Sequence, residues 1–599
     1  MNLLRSWWWL AIAPLFSLII FRESLGTWFF KDDFAWLGLG LSIHDFPTLL
    51  DALFAPKAQG TIRPLSDRLP FLLGYWLFGL DARPFRIFVF TFHSINLMLL
   101  AWLVYRWTSS RVAAVAAAII WTAHSSIAQP LSWSSSMNQV LWPTCMFAAF
   151  QARELGRKAR EWLFFLLGFG VLELNVVYPA LVLARYPERW RSTLPLFAAS
   201  GAYAVLNRWV TPPNTNPLYV MDFRPASILE TLWKYLQMSM GSFRPDFRPE
   251  LADFLLGCTV IAVVGFVIGV ALQRDRVILF GLAWFLICLG PVLLLRQHIS
   301  DYYLAVPSAG LGMAFGLAFA RRPLLLGLPV IAYLAGSLVV SREITHYNRH
   351  ESDLARNLVL GVKQAVALHP DKIILLAGIT TDQFWGTVVD DPFRLLPGAK
   401  VYLVPGSEKS IDSHPDLGDP ALSILPASAA RVALANNQAL VYAAGTTPLR
   451  NVTNFYRVIA AQEWGNGLAN IVDVGQPLLA SQLGSGWETI DHGFRWMGPT
   501  AEVTLGGPGN ELFVECYRAA NEPRQEIVKL DIYSGEFLLG SFSVPRRDHF
   551  NGKLIIPPHL AALPSLPLRL TVNPPVVTPD DGRSLGLAFG KIGRRVTVP

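Results

Sequence analysis

Two adjacent carboxylates, Asp32 and Asp33, follow directly on the first long apolar run of the chain, residues 7–30, in the order Phe29-Phe30-Lys31-Asp32-Asp33-Phe34. A run of that length can span a hydrocarbon layer about 30 Å thick, so the pair is expected at a membrane surface. A carboxylate so placed can take a proton from a hydroxyl. More polar residues stand at the ends of later apolar runs: Arg63; His93 and Asn96, three apart on one helix face; His124; Gln129, Trp133 and Asn138; Glu173 and Asn175; and Arg296, His298, Asp301, Tyr302 and Tyr303. A charge at membrane depth is disfavoured by about 2.5 to 3.5 kcal/mol, which makes each a candidate for function. A carboxylate with Arg and His partners suits transfer of a glycosyl group from a lipid phosphate. The carboxylate activates the acceptor hydroxyl, and the cations stabilise the departing phosphate. No glycine-rich nucleotide loop is present, in keeping with a donor other than a soluble nucleotide sugar.

Each group also has an ordinary reading. An acidic pair after a span is commonly a solvated helix end, and a lone histidine such as His93 a hydrogen-bonded packing residue. Arg63 reads equally as loop charge, and Arg296 as an anchor that snorkels to the interface. Trp133, Tyr302 and Tyr303 fit an aromatic belt. Glu173 interrupts a helix core, which points to function or to a structural polar network.

The elements that must position these groups are helices in a membrane. Over 599 residues, 52% are hydrophobic and only 16% charged, with mean hydropathy +0.38, which excludes an ordinary soluble protein. Trp7-Trp8-Trp9 after Arg5 looks like the start of a secretory signal, but the run is long and lacks a small-residue cleavage site, so a retained first helix is expected. Further apolar runs occupy residues 86–105, 112–124, 138–152, 161–173, 175–184, 193–210, 252–272, 277–295, 302–320 and 323–341, giving about eleven spans, several shorter than the ~20 residues of a straight helix. With the N-terminus inside, every short inner loop is basic: Arg106 and Arg111; Arg153, Arg157, Lys158 and Arg160; Arg185, Arg189 and Arg191; Arg274 and Arg276; Arg321 and Arg322. This pattern requires a break near Glu173 and leaves everything after Ser341 outside. The net charge of +7 is thus a topology signal, and no nucleic-acid partner is expected. Residues 225–240 carry Ile228, Leu229, Leu232, Trp233, Leu236 and Met240 at helical spacing, as in a helix lying in the interface. Cys145, Cys258, Cys288 and Cys516 make no CxxC pair and no disulfide framework.

The chain loses membrane character after residue 341. The first part of the tail alternates an amphipathic helix, 353–368, with short apolar strands at 372–376, 399–403 and 439–442, which predicts a small α/β unit. From about residue 470, short strand-like runs punctuated by Pro and Gly predict a β-sandwich. The expected architecture is a polytopic α-helical membrane domain over 1–345, an extracytoplasmic α/β domain over 346–465 and a C-terminal β-sandwich over 466–599.

In their order these residues resemble the GT-C superfamily of membrane glycosyltransferases, especially the polyprenyl- or dolichyl-phosphate-mannose-dependent mannosyltransferases and their bacterial relatives. The similarity covers residues 1–345. It rests on Asp32-Asp33 after the first span, Arg63-Pro64-Leu65, His93 to Asn96, His124 to Trp133, Glu173 to Pro179, and Asp301-Tyr302-Tyr303-Leu304-Ala305-Val306-Pro307. The sequence departs from the family at Leu172, where relatives carry Lys, at Gln129, where they carry an acid, and at Tyr302, where they carry Arg. Arg296 or His298 would then replace the missing phosphate contacts. The stretch Asp581-Gly582-Arg583-Ser584-Leu585-Gly586 is similar to a module appended to bacterial sugar-transfer proteins.

The resemblance implies an inverting hexosyltransferase in a bacterial inner (plasma) membrane. It would move a sugar from a polyprenyl-phosphate donor to an extracytoplasmic glycan, lipid or protein acceptor. Asp33 or Asp32 would be the base, with Asp33 the first choice. Arg63, His93, His124, Glu173, Arg296, His298, Asp301 and Tyr303 would line the donor-phosphate and substrate site. A divalent cation, Mg or Mn, held by Asp32 and Asp33 is compatible with the pair, since one branch of the family uses such an ion and another does not. The competing readings are a polysaccharide polymerase or ligase, whose key Arg and His would sit in a large late loop, and a glycan or lipid transporter or assembly protein, for which paired repeats would be expected.

Overall fold

The computed structural model describes residues 7–57, 60–212, 216–241, 249–273, 275–461, 464–465, 467–491, 493–518, 527–546, 549–577 and 582–597. Arg5, Arg274 and Asp581 lie outside the described residues. Contacts divide the chain into two units, residues 1–357 with 385–395, and residues 358–384 with 396–599. The stretch expected as a separate α/β domain is therefore shared. Residues 346–357 and 385–395 group with the helical unit, and the rest of the stretch groups with the sandwich.

In the first unit, helices Ile12–Ile20, Arg83–Thr108, Arg111–Ala123, Asn138–Glu154, Lys158–Val171, Tyr178–Arg185, Trp190–Val210, Ala252–Ala271, Arg276–Leu289, Ser308–Arg321 and Pro323–Leu368 fall one to each apolar run. By length and composition, Arg83–Thr108, Pro249–Ala271, Arg276–Leu294 and Pro323–Leu368 can cross a membrane. Arg111–Ala123 and Ser125–Ser132 form a further pair bent by 66°. The other helices are shorter or more polar. Polar caps set some of the ends. Ser110 Oγ accepts from Ala113 N–H at 3.2 Å, and Asp275 Oδ1 from Val277 N–H at 2.7 Å, each satisfying a donor that a helix start leaves open. The fifth and sixth helices are separated by a 3-10 turn, Glu173–Val177, where polar residues and Pro179 interrupt the apolar run.

The core of this unit is the helix Ser308–Arg321, buried from Ser308 to Ala318. Its small residues allow the closest approach. A methyl on Gly312 would lie 2.7 Å from Ala117 O, and one on Gly316 2.7 Å from Ala117 Cα, so backbones meet as in small-residue membrane interfaces. The helix Pro225–Met238 turns Ser227, Thr231 and Tyr235 inward and leaves Leu229, Trp233 and Leu236 exposed. An apolar outer face of that kind suits lipid better than water.

In the second unit, strands Lys400–Leu403, Ile373–Ala377 and Ala439–Ala443 pair in parallel in that spatial order, with Arg450–Asn451 antiparallel at one edge. The sandwich places a four-stranded sheet, in order Thr500–Gly506, Ser565–Asn573, Val528–Ser534 and Phe537–Val544, with a six-stranded one centred on Glu511–Tyr517 and Ala588–Arg595. Alternate residues face its core, among them Leu512, Val514 and Cys516 on one strand and Leu566, Leu568, Leu570 and Val572 on another, the two-residue period of a half-buried strand. All four cysteines are free.

Candidate active site

The first helix gives way to a 3-10 turn, Arg22–Gly26, and an extended stretch that brings Trp28, Phe29 and Phe30 into the core. Lys31 then adopts a left-handed backbone, φ 55°, an uncommon conformation for a residue with a Cβ. It reverses the chain into the short helix Asp33–Leu37. The two carboxylates thereby meet different surroundings.

Asp33 is fully buried. Its Oδ1 accepts from the backbone N–H of Ser135 at 2.8 Å and from Ser135 Oγ at 2.7 Å. Its Oδ2 accepts from Phe30 N–H at 3.4 Å and lies 4.0 Å from Arg86 Nη2. Arg86, itself buried, also donates to Ser134 Oγ at 2.7 Å. Asp33 thus ties the acidic-pair segment to residues 134–135. Asp32 is half-buried, yet its Oδ1 is sealed from solvent and has no hydrogen-bond partner. Burial pushes its carboxyl well above the usual carboxylate range, and the neighbouring charges of Asp33 and Asp390 push the same way. Burial also raises Asp33, against the opposing pull of Arg86.

Beside Asp32, the Lys31 ammonium lies 5.5 Å from the Phe30 ring, 5.4 Å from Trp133 and 6.0 Å from Tyr347. No carboxylate pairs with it among the described residues. Trp133 Nε1 is buried without an acceptor, and its ring meets Tyr302 at 6.4 Å. One short stretch of chain and one indole therefore present an unengaged acceptor, an uncompensated cation and an unengaged donor together. Unsatisfied buried polar atoms in folded proteins are accounted for by bound water or an ion, by strain or by a catalytic role.

Arg63 precedes a single π turn, Pro64–Arg68. It makes a forked pair with Glu173, Nε to Oε2 at 2.8 Å and Nη2 to Oε1 at 2.6 Å, and its Nη1 reaches Asp67 Oδ2 at 3.2 Å. Asp67 also accepts from Ser66 Oγ at 2.7 Å and Asn138 Nδ2 at 3.3 Å. Glu173 thus belongs to a polar network, and Arg63 is committed to carboxylates on both sides of its guanidinium. His298 joins an aromatic cluster, with ring centroids 4.5 Å from Tyr219 and 5.7 Å from Tyr303, and shares a 3.3 Å hydrogen bond with the Tyr302 hydroxyl. Burial holds its imidazole below the ordinary value. Tyr302 and Tyr303 touch with ring centroids 4.5 Å apart and planes tilted by 48°, and Asp301 is buried at the start of the turn Asp301–Leu304.

Three sequence candidates are engaged elsewhere. His93 is buried against Trp121, at 5.6 Å, with Nε2 hydrogen-bonded to Thr122 Oγ1 at 3.0 Å. His124 Nε2 donates to Ser239 O at 2.9 Å, which leaves Nδ1 to accept from Ser126 Oγ at 2.7 Å. Both rings serve helix packing. Arg296 is exposed and pairs with Glu230 of the helix Pro225–Met238, Nη2 to Oε2 at 2.9 Å. The nearer carboxylate wins because an exposed guanidinium takes its partner from the adjacent element. Conversely, Lys31, Asp67, Asp390 and Arg394 were not among the candidates read from the sequence. Only Lys31, adjacent to the pair, had a signal in the sequence.

Among the described residues no group of three or more His, Cys, Asp or Glu side chains is arranged to hold a metal ion. Asp32 offers one unengaged oxygen, and Asp33 has both engaged by protein donors. A divalent ion at this place would draw its remaining ligands from substrate phosphate and water, as Mg²⁺ commonly does.

No family model and no curated protein sequence matches this chain. Among solved structures it is similar to ArnT from Cupriavidus metallidurans bound to undecaprenyl phosphate, with 13% identity, 78% of this chain and 96% of that chain covered, and a TM-score of 0.41. It is also similar to the Archaeoglobus fulgidus oligosaccharyltransferase tethered to an acceptor peptide, with 8% identity, 100% and 98% covered, and a TM-score of 0.42. The same archaeal protein in complex with Zn and sulfate gives 9%, 98% and 98%, and 0.41. At TM-scores below 0.5 these likenesses decide nothing about the site, which stands on its own geometry.

Proposed function

We propose that this chain is a membrane glycosyltransferase that takes a sugar from a polyprenyl-phosphate donor and passes it to an extracytoplasmic glycan, lipid or protein acceptor. The observation that carries this reading is the buried, unpartnered Oδ1 of Asp32 beside the caged Lys31. Asp32, rather than Asp33, is the general base. Its carboxylate accepts the proton of the acceptor hydroxyl as that oxygen forms a bond to the sugar's anomeric carbon. The bond from that carbon to the phosphate oxygen breaks on the opposite face, the phosphate leaves with the electron pair, and configuration inverts. Lys31 offsets the charge gathering on the leaving phosphate, and Trp133 Nε1 donates a hydrogen bond to it. Arg63 is held by Glu173 and Asp67 rather than gripping phosphate, and the aromatic cluster of Tyr302, Tyr303 and His298 offers ring faces suited to a sugar.

The test is transfer in membranes from a panel of radiolabelled polyprenyl-phosphate sugars. Asp32→Asn should lose about 10²-fold to 10⁴-fold in rate, the usual share of a general base. Full activity in that variant removes the base assignment. Wild-type membranes that incorporate label from no donor in the panel turn the reading toward a transporter or assembly protein.

A further inference from the structure

Residues 385–395 pack with the helical unit, far in sequence from the acidic pair, and they bracket it at both ends. Before the pair, Gly386 O accepts from Lys31 N–H at 2.7 Å. After it, Arg394 Nη2 donates to Phe34 O at 3.3 Å and to Ala35 O at 3.4 Å. Tyr75 Oη donates to Leu395 O at 3.2 Å and fastens the far end. Gly38 makes room for this approach, since a methyl there would lie 2.6 Å from Arg394 Nε.

A helix as short as Asp33–Leu37 does not hold its shape unaided, because nucleation fixes several residues for a single hydrogen bond. The C-cap Gly38 N–H reaches Phe34 O and Trp36 O, and a cation at that end adds a donor to Phe34 O, supplies one to Ala35 O and matches the helix dipole. Arg394 is that cation, while Gly386 fixes the strained residue that turns the chain into Asp32. On the reading of Asp32 as the base, we propose that residues 385–395 complete the active site as a strap, and that Arg394 is a positioning residue that orients Asp32 by holding the carbonyl end of the helix Asp33–Leu37. Asp390 lies on the same strap and acts electrostatically on both aspartates.

The test compares full-length wild type, Arg394→Ala, Arg394→Lys and Gly38→Ala. Arg394→Ala should lower kcat by about 10-fold to 100-fold, the scale of a small misplacement of a catalytic group, with KM for the polyprenyl-phosphate sugar within about twofold. Arg394→Lys should recover part of the loss, since the ammonium keeps the charge and a donor at the carbonyl end without the longer, planar guanidinium. Gly38→Ala, which displaces the guanidinium without removing its charge, should mimic Arg394→Ala. Unchanged kcat in both Arg394→Ala and Gly38→Ala, or parallel loss of kcat and rise of KM, overturns the strap. If no donor supports transfer by wild type, the proposed activity has failed and the strap is read by amide hydrogen exchange. Faster exchange over residues 33–37 in Arg394→Ala, restored in Arg394→Lys, supports it; identical exchange in all forms overturns it.

Discussion

Asp32 and Asp33 are the same residue type one position apart, and their partners separate them. Asp33 balances a buried arginine and receives three hydrogen bonds, so it serves the fold. Asp33→Asn would leave Arg86 without its counter-charge, and removing one partner of a buried pair costs about 3 to 5 kcal/mol. The purified protein should show a clear fall in its thermal unfolding midpoint, while transfer per folded molecule is largely kept. Asp32→Asn should do the reverse, lowering transfer by about 10²-fold to 10⁴-fold with little loss of stability. The pH profile follows from the same surroundings. A base raised above the usual carboxylate range loses its function as pH falls through that raised value, so the acid limb of transfer should lie above about pH 3.9, the ordinary Asp value. Asp390 is one of the charges that raise Asp32, and burial lifts Asp390 itself to about 6. Replacing it by Asn removes a negative neighbour, eases ionisation of Asp32, and should move the acid limb to lower pH.

At the scale of elements, the helices were legible because apolar runs and their polar interruptions are local properties. Glu173 and Pro179 announced a break, and a 3-10 turn stands there. The partners of the candidate residues were not legible. Ser135 binds Asp33 across 102 positions, and Arg394 reaches Phe34 across 360, and no periodicity encodes such pairs. His93 and His124 illustrate the converse: residue type suggested chemistry, and only the packed surroundings revealed their rings hydrogen-bonded to neighbouring segments. Packing of the central helix gives its own prediction. Gly316 faces the backbone of Ala117 with no room for a side chain, so Gly316→Leu should force the helices Arg111–Ala123 and Ser308–Arg321 apart. Overpacking of this kind typically costs about 1 to 3 kcal/mol, to be seen as reduced yield of folded protein and a lowered unfolding midpoint.

For the whole molecule, topology decides whether the site can meet a lipid-linked substrate outside the cytoplasm. The basic loops predict that a reporter fused after Ser341 is exposed on the outer side. A cytoplasmic signal would overturn that arrangement and place Asp32 on the wrong side for the proposed acceptor. The division of the chain also differs from the simple order of segments in sequence. The parallel sheet and the sandwich form one unit, while eleven residues from their midst, 385–395, belong with the helices. Composition marks where a chain enters or leaves lipid, but it carries no signal for a short loop that rejoins a distant part of the fold.

The left-handed backbone at Lys31 separates two demands that usually travel together in mutational work. A side chain in that conformation costs about 1 to 2 kcal/mol, and glycine would adopt it freely. Its cation–π contacts return a comparable amount, about 0.5 to 1 kcal/mol at a site of this kind. Lys31→Gly should therefore leave stability nearly unchanged while impairing transfer. That would identify position 31 as one where conformational economy has been surrendered to retain a charge.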